Sequence, residues 1–277
     1  MRIVDMTHPY SIHTPGWVRY AGNKMYYTQN LQTNQIVSQR IESSLHTGTH
    51  LDGPMHGTDG GLDMASLPLD KLIHPGAIVD VSDVVSDWDL IEPEHITRNV
   101  EIKKGDILII HTGFIDYYQD MPKQDLVRYF TMHPGGSARL AEWMADMEIR
   151  WWGIDAGSGD HPMNTTIRNM RPDLLAEFEK HVGMSYKEFF GEYTYTHHMS
   201  GREITSDIFP MHHLAFQDGC IHAENVGGDL KTVLNQRAII GAFPWKIEGG
   251  EACPCRIMAF FDCGADEVIE GFTSSVG

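Results

Sequence analysis

The twelve residues LHTGTHLDGPMH, Leu45 to His56, place His46, His50, Asp52 and His56 at even-numbered positions among glycines and a proline. A helix would bring residues four apart onto one face, but Gly48, Gly53 and Pro54 each weaken or break a helix interior. An extended segment alternates its side chains instead. His46, His50 and Asp52 then face one side, and Thr47, Thr49 and Leu51 face the other. Two imidazoles and a carboxylate converging from one short element suit Zn²⁺, Mn²⁺ or Fe²⁺ and leave positions open for water, as a reactive site requires. The stretch therefore predicts a metal centre, with His56 beside it.

The rest of the chain says what carries that centre. Strand-like runs rich in Ile, Val and aromatic residues recur at 77–84, 106–114, 149–155, 238–243 and 256–261. Between them, 137–148 shows apolar residues at helical spacing behind Ser137, a fitting N-cap, and 171–183 starts near a proline and ends at Gly183. Strands mixed with helices predict an α/β chain. No repeat, low-complexity tract or linker-like shift divides it, so one domain over 1–277 is expected. The polar, aromatic stretch at about 160–211 reads as a long excursion above the core, of the sort that forms lids or subunit contacts.

Charge and composition remove several functions. A formal net charge of −17 repels nucleic acid and anionic membranes. No run of about 18 apolar residues offers a membrane span, and the opening MRIVDMTHPYSIHTPGW lacks the apolar core of a secretory signal, so a cytoplasmic location is expected. Four cysteines are too few for a disulfide scaffold, and Cys253-Pro-Cys255 lacks the second pair of a zinc site. There is no Gly-x-Ser-x-Gly elbow for a serine hydrolase, and the Gly-Gly pairs lack the rest of a phosphate loop. Sixteen histidines are the more telling count, since neutral imidazole is a common metal ligand.

The segment HTGTHLDGPMH resembles the His-x-Gly-Thr-His-x-Asp-x-Pro-x-His signature of the metal-dependent cyclase family, which includes kynurenine formamidases, isatin hydrolases and trans-dienelactone hydrolases. Further segments are similar to that family: VDMTHPYSIHTPGW (4–17), LIIHTGF (108–114), GIDAGSGD (153–160) and HHLAFQDGCIHAENVGGDL (212–230). The resemblance implies a swivelling β/β/α-type domain, a mixed sheet core with flanking helices, assembled as a homo-dimer or homo-tetramer. It assigns His46, His50 and Asp52 to a first metal, His56 to a second metal or to a catalytic place beside a single one, and Glu224 to the second metal position. One or two ions, Zn or Mn, are implied per chain. His212, twelve residues before Glu224, matches the catalytic histidine.

These assignments agree with general chemistry. A divalent ion lowers the pKa of a water to about 7, which suits attack on a carbonyl, and a histidine near neutrality can hand the proton to an amide's leaving nitrogen. Two weaker places remain. Ser158, Asp160 and His161 fall in a turn-like stretch after a strand, where a metal or substrate contact is one reading and a hydrogen-bonded turn the other. Trp17 follows the family's opening segment and is a candidate pocket wall. The function expected is hydrolysis of a small cyclic or N-acyl amide through a metal-activated water with a histidine acid/base. A dienelactone-type lactone hydrolase and a non-catalytic metal- or ligand-binding protein are the rivals.

Overall fold

In the computed structural model, which describes residues 1–119, 122–217 and 219–263, the strand-like runs all enter one sheet. Its strands are β1 (Arg2–Asp5), β2 (His50–Asp52), β3 (Ile73–Asp80), β4 (Ile107–His111), β5 (Trp151–Ile154), β6 (Ile221–Glu224), β7 (Gln236–Pro244) and β8 (Ala252–Phe261). Their order is β1-β8-β7-β3-β4-β5-β6-β2, and β2 pairs again with β8, so all but β1 close into a barrel. Closure depends on the length of β8. One edge of it runs along β7. The other is divided, with Ala252, Cys253 and Pro254 beside Asp52, Leu51 and His50, and the stretch from Met258 to Phe261 beside β1.

Strands β3 to β6 run parallel, and parallel strands covered on both faces read as continuous apolar runs. That is why ILIIH in β4 and WWGI in β5 are buried throughout. Alternation sends Ile107, Ile109 and Trp151 into one core with Leu51, Ala223, Ile240 and Ile257, which fills the barrel, and both Cys253 and Cys255 lie there too. Leu108, Ile110 and Trp152 point outward into a second core. The helices that matter to the site and the excursion are, in chain order, α1 (Pro54–Gly57), α2 (Ala138–Asp146), α3 (Pro172–Val182), α4 (Tyr186–Phe190) and α5 (Pro210–Gln217). Helix α2 starts where the sequence indicates: Ser137 Oγ accepts the Leu140 N–H at 3.0 Å. Its buried Leu140, Ala141 and Met144 cover the second core together with Met211 and Ala215 of α5.

The excursion at 160–211 is more regular than its composition suggests. Helix α3 ends at Gly183 in the left-handed region, φ 75°, where glycine carries no steric cost. Leu174 and Phe178 of α3 bury against Trp88, Met163 and Ile167 as a third apolar cluster. Arg168 ties the far end down, reaching Asp207 at 2.9 Å with its guanidinium over the Tyr186 ring. A hairpin of Tyr193–Thr196 and Glu203–Ser206 completes the segment. A second hairpin, Lys24–Gln29 with Ser38–Glu42, leaves Tyr27, Leu31, Ile36 and Val37 exposed. Among the described residues no helix is long and apolar enough to cross a membrane.

Beneath the parallel strands, Asp155 accepts from the Thr112 N–H at 2.7 Å and stands 2.8 Å from His111 Nδ1, both side chains buried. Burial raises a carboxyl, but His111 and the Thr112 donors outweigh it and hold Asp155 below its usual 3.8. Burial lowers an imidazole, but Asp155 outweighs it and raises His111 above 6.5. The Asp155 contribution to stability is present above its unfolded value and lost as pH falls through the lowered one. The His111 contribution is present below its unfolded value and lost as pH rises through the raised one. The pair therefore contributes most between 3.8 and 6.5, and the gap in urea midpoint between wild type and Asp155→Asn should be widest in that window and narrow on either side of it.

Candidate functional site

Strand alternation builds the centre of the site. Strands β2 and β6 are antiparallel neighbours, with Asp52 opposite His222, Leu51 opposite Ala223 and His50 opposite Glu224. Leu51 and Ala223 point into the barrel. His50, Asp52, His222 and Glu224 therefore share its outer face, and all four are buried. Ala252 on β8 borders Asp52 from the other side and adds little bulk.

His46 reaches the same place by another route. The extended reading of 45–56 holds only for His50–Asp52, because Gly48 turns the chain at φ 66°. A Cβ there would meet Thr14 Cγ2 at 2.8 Å. The turn is clamped from outside, where Trp17 N–H donates to the His46 carbonyl at 3.2 Å and Gly48 N–H to that of Pro15 at 3.3 Å. Thr49 does not face solvent; its hydroxyl donates to the Asn225 carbonyl and accepts from His8 N–H. The result puts His46 Nδ1 3.0 Å from Asp52 Oδ1 and 3.2 Å from His50 Nε2. Pro54 then opens the single turn of α1, which carries His56 to the cavity rim.

The sequence-derived ligands thus converge, with His50 Nε2 at 3.3 Å from Asp52 Oδ1 and 3.6 Å from Glu224 Oε2. Two overlapping donor groups share Asp52: His46, Asp52 and His56 on one side, and Asp52, His212, His222 and Glu224 on the other. Whether they suit a cation can be read from Asp52 itself. Both of its carboxylate oxygens are buried and neither accepts an aligned hydrogen bond, although imidazole nitrogens crowd them at 3.0 and 3.3 Å. A bare buried carboxylate is costly unless a positive charge meets it. Nitrogen and oxygen donors of this kind fit a borderline or hard divalent ion.

Hydrogen bonds on the far ring nitrogens determine which imidazoles can serve. His50 Nδ1 donates to the Gly48 carbonyl at 2.8 Å, leaving its Nε2 lone pair facing Asp52. His212 Nδ1 donates to Asp160 Oδ2 at 2.5 Å, while Asp160 Oδ1 accepts the Met211 N–H at 2.8 Å. The free Nε2 of His212 stands 3.9 Å from Asp52 Oδ2. His222 differs. Its Nδ1 is buried without a partner, so in the neutral ring the proton belongs on Nε2, between Asp52 Oδ2 at 3.3 Å and Glu224 Oε1 at 3.2 Å. Neutral His222 thereby donates to Glu224 and only flanks Asp52. Gly159 N–H also donates to Glu224 Oε1, at 3.2 Å.

Charge follows the same geometry. Burial opposes the His46 cation, but Asp52 and Glu251 outweigh it and push the imidazole up to about 11. Burial opposes His222 too, and Asp52 and Glu224 carry it to about 9. These pairings hold Asp52 and Glu224 below the carboxylate range, against burial. His212 moves down, because burial and the His222 charge outweigh Asp160. Without an ion, protons provide the positive charge that the carboxylates demand.

A cavity of about 300 Å³ opens above this centre, walled by Trp17, Tyr20 and Phe209 with His56, His212 and His213. Trp17 lines it as the sequence suggests, and Ser158 and Glu224 reach it as well. Asp160 acts behind His212, away from the wall. His161 does not come to the cavity. Its Nε2 donates to the Trp88 carbonyl at 2.9 Å, its Nδ1 accepts the Met163 N–H at 3.0 Å, and its ring packs against Phe178 and Phe190. The substrate-contact expectation for His161 is corrected to a packing role in the excursion. Two residues escaped the sequence reading. His222 is two residues from Glu224 on one strand, the spacing that flagged His50 and Asp52. Glu251, 2.7 Å from His46 Nε2, left no local signal.

Carboxylates and imidazoles on the outer face of a closed mixed barrel, roofed by a helix whose His212 bonds Asp160, define a class of α/β protein with donor groups that could hold a metal ion. A family model described as "Putative cyclase" matches residues 4–161, more than half of the 277, and the chain belongs to this cyclase family. A kynurenine formamidase of Salinibacter ruber is 24% identical over 261 residues, spanning 92% of this chain and 96% of the relative. Among solved structures, isatin hydrolase A from Labrenzia aggregata superposes with a TM-score of 0.68 at 19% identity, covering 93% of each chain. Isatin hydrolase A from Ralstonia solanacearum gives 0.68 at 18% identity, over 93% of this chain and 91% of that one. Those two likenesses establish the mixed α/β fold.

Proposed function

We propose that this chain is a metal-dependent hydrolase that cleaves the C–N bond of a small aromatic amide, cyclic or N-acyl, with Zn²⁺ or Mn²⁺ held by His46, His50 and Asp52. The observation that carries the reading is the His212–Asp160 pair aimed at the bare Asp52 carboxylate, under aromatic walls. The names of the relatives, kynurenine formamidase and isatin hydrolase, support the same bond type. A divalent ion in this cradle would supply Lewis acidity toward the carbonyl and lower the proton affinity of an attacking water.

The chain's own groups do the rest. Trp17, Tyr20 and Phe209 give a planar ring an apolar wall to pack on and exclude water from that side. His212 Nε2 takes a proton as water adds to the carbonyl carbon, and returns it to the nitrogen as the C–N bond breaks. Asp160 fixes the tautomer that leaves Nε2 free for that exchange. Glu224, held by Gly159 N–H and His222, keeps a carboxylate at the cavity floor. A protein that only sequestered metal would have no use for a carboxylate-oriented imidazole at the mouth of the cradle. The accompanying assembly is a homo-dimer or homo-tetramer, which light scattering tests.

Among the described residues no lysine or arginine lines the cavity, whereas Asp52 and Glu224 do. A substrate that carries its own carboxylate finds no basic side chain to pair it there and competes with Asp52 and Glu224 for the ion. The expected order of kcat/KM is therefore isatin above N-formylkynurenine above a carboxylated dienelactone. Metal-reconstituted protein assayed on this panel checks it. Turnover of lactones alone would overturn the amide reading, and inertness toward all three would leave a binding protein.

A further inference from the structure

The strongest feature outside the assigned residues is the carboxylate of Glu251. Its Oε2 lies 2.7 Å from His46 Nε2 and 3.0 Å from His56 Nδ1, so one oxygen faces two imidazoles drawn from opposite ends of the signature segment. The position is built. The Glu251 carbonyl accepts the Gly53 N–H at 2.8 Å, at the residue where β2 ends and α1 begins. The next residue, Ala252, pairs with Asp52 in the sheet. The side chain is only about a third exposed, at 36%. His46 and His56 rings lie 4.3 Å apart, centroid to centroid, and both line the cavity, with the other nitrogen of His46 3.0 Å from Asp52 Oδ1.

From this arrangement we infer that Glu251 is a positioning residue, which accepts Nε2–H of His46 and Nδ1–H of His56 and so fixes the tautomer of both rings. His46 then presents a bare Nδ1 to Asp52 and the ion, and His56 presents a bare Nε2 to the cavity. Metal-ligating histidines commonly donate their second ring N–H to such an acceptor, and removing it costs 10–100-fold in affinity or activity. Here one carboxylate performs that service for a ligand and for a residue on the cavity wall at once. It thereby couples ion capture to the orientation of the wall. This inference rests on the metal-centred reading above.

The test uses purified chain stripped of metal and titrated with Zn²⁺ against a competing chelator. Wild-type protein, Glu251→Ala and Glu251→Gln are compared, with melting curves to confirm folding. Alanine should weaken Zn²⁺ binding about 10–100-fold. Glutamine can set its carbonyl oxygen where Oε2 stands and accept from both rings, but without the negative charge, so it should give a smaller loss in the same direction and serves if the alanine protein does not fold. At saturating Zn²⁺ both variants should lower kcat with little change in KM. Nitrogen-15 correlation spectra of the Zn²⁺-loaded wild type should show His56 protonated on Nδ1, and in Glu251→Ala that preference should be lost. Equal Zn²⁺ affinity in wild type and variants, or Nε2-protonated His56 in the wild type, overturns the role of Glu251. Failure of the wild type itself to bind Zn²⁺ strikes instead at the metal-centred reading.

Discussion

Asp160→Asn should cost about 10³–10⁴-fold in kcat/KM while leaving bound metal unchanged, by analogy with the loss seen when a buried carboxylate that orients a catalytic histidine becomes an amide. The carboxylate accepts from His212 Nδ1 at 2.5 Å and from the Met211 N–H at 2.8 Å. An asparagine of the same shape keeps one of these acceptors but presents an N–H₂ group to the other. With Oδ1 still serving Met211, the amide faces Nδ1 and the neutral ring is driven to carry its proton on Nε2. A ring in that state cannot take a proton from water. The fold should survive, because volume and the Met211 contact are retained. Metal content by elemental analysis, together with kcat and KM, checks the expectation. A variant with near-normal kcat would show that His212 does not depend on Asp160 for its tautomer.

Asp52→Asn should abolish activity by emptying the centre. Asp52 is fully buried, stands within 3.3 Å of His46, His50 and His222, and belongs to both donor groups. Loss of an outer partner typically costs a site 10–100-fold in affinity, so loss of a directly facing carboxylate should exceed about 100-fold. The amide can also turn an N–H₂ toward His46 Nδ1 and His50 Nε2 and occupy the lone pairs that an ion would need. In the ion-free protein the change is milder, since His46 and His222 simply lose the carboxylate that raises them. Calorimetric titration with Zn²⁺ or Mn²⁺ tests this, and retention of native affinity would show that the cradle is elsewhere.

How far the sequence foretold these features depends on whether the relevant interaction is local. The strands of the barrel were readable because parallel strands covered on both faces must be apolar throughout, and the α2 cap was readable because Ser137 bonds a residue three further on. His50 and Asp52 were readable from alternation within a single strand. The same rule applied to IHAE sets His222 and Glu224 on one face of their strand. Barrel closure was not readable. It depends on β8 dividing one edge between β1 and β2, and nothing in ACPCRIMAFF announces two partners. Nor was the route of His46, because the left-handed Gly48 breaks an alternation that looked continuous. Asp160 and His161 are adjacent and chemically alike as candidates, yet one holds His212 and the other fills an aromatic cluster, a distinction made only by which side of the loop meets α5.

The division of the β8 edge has a consequence for how the protein is made. The strand bearing Asp52 is wedged between β6 and the first residues of β8, so the donor carboxylate gains both flanks only when segments some two hundred positions downstream have been synthesised and threaded alongside. Until then the signature segment is an unsupported ribbon with imidazoles pointing in no fixed direction. On the proposed metal-centred reading, loading would wait for the last stage of biogenesis, and an interrupted translation product would carry the recognisable motif without both flanks of its donor carboxylate.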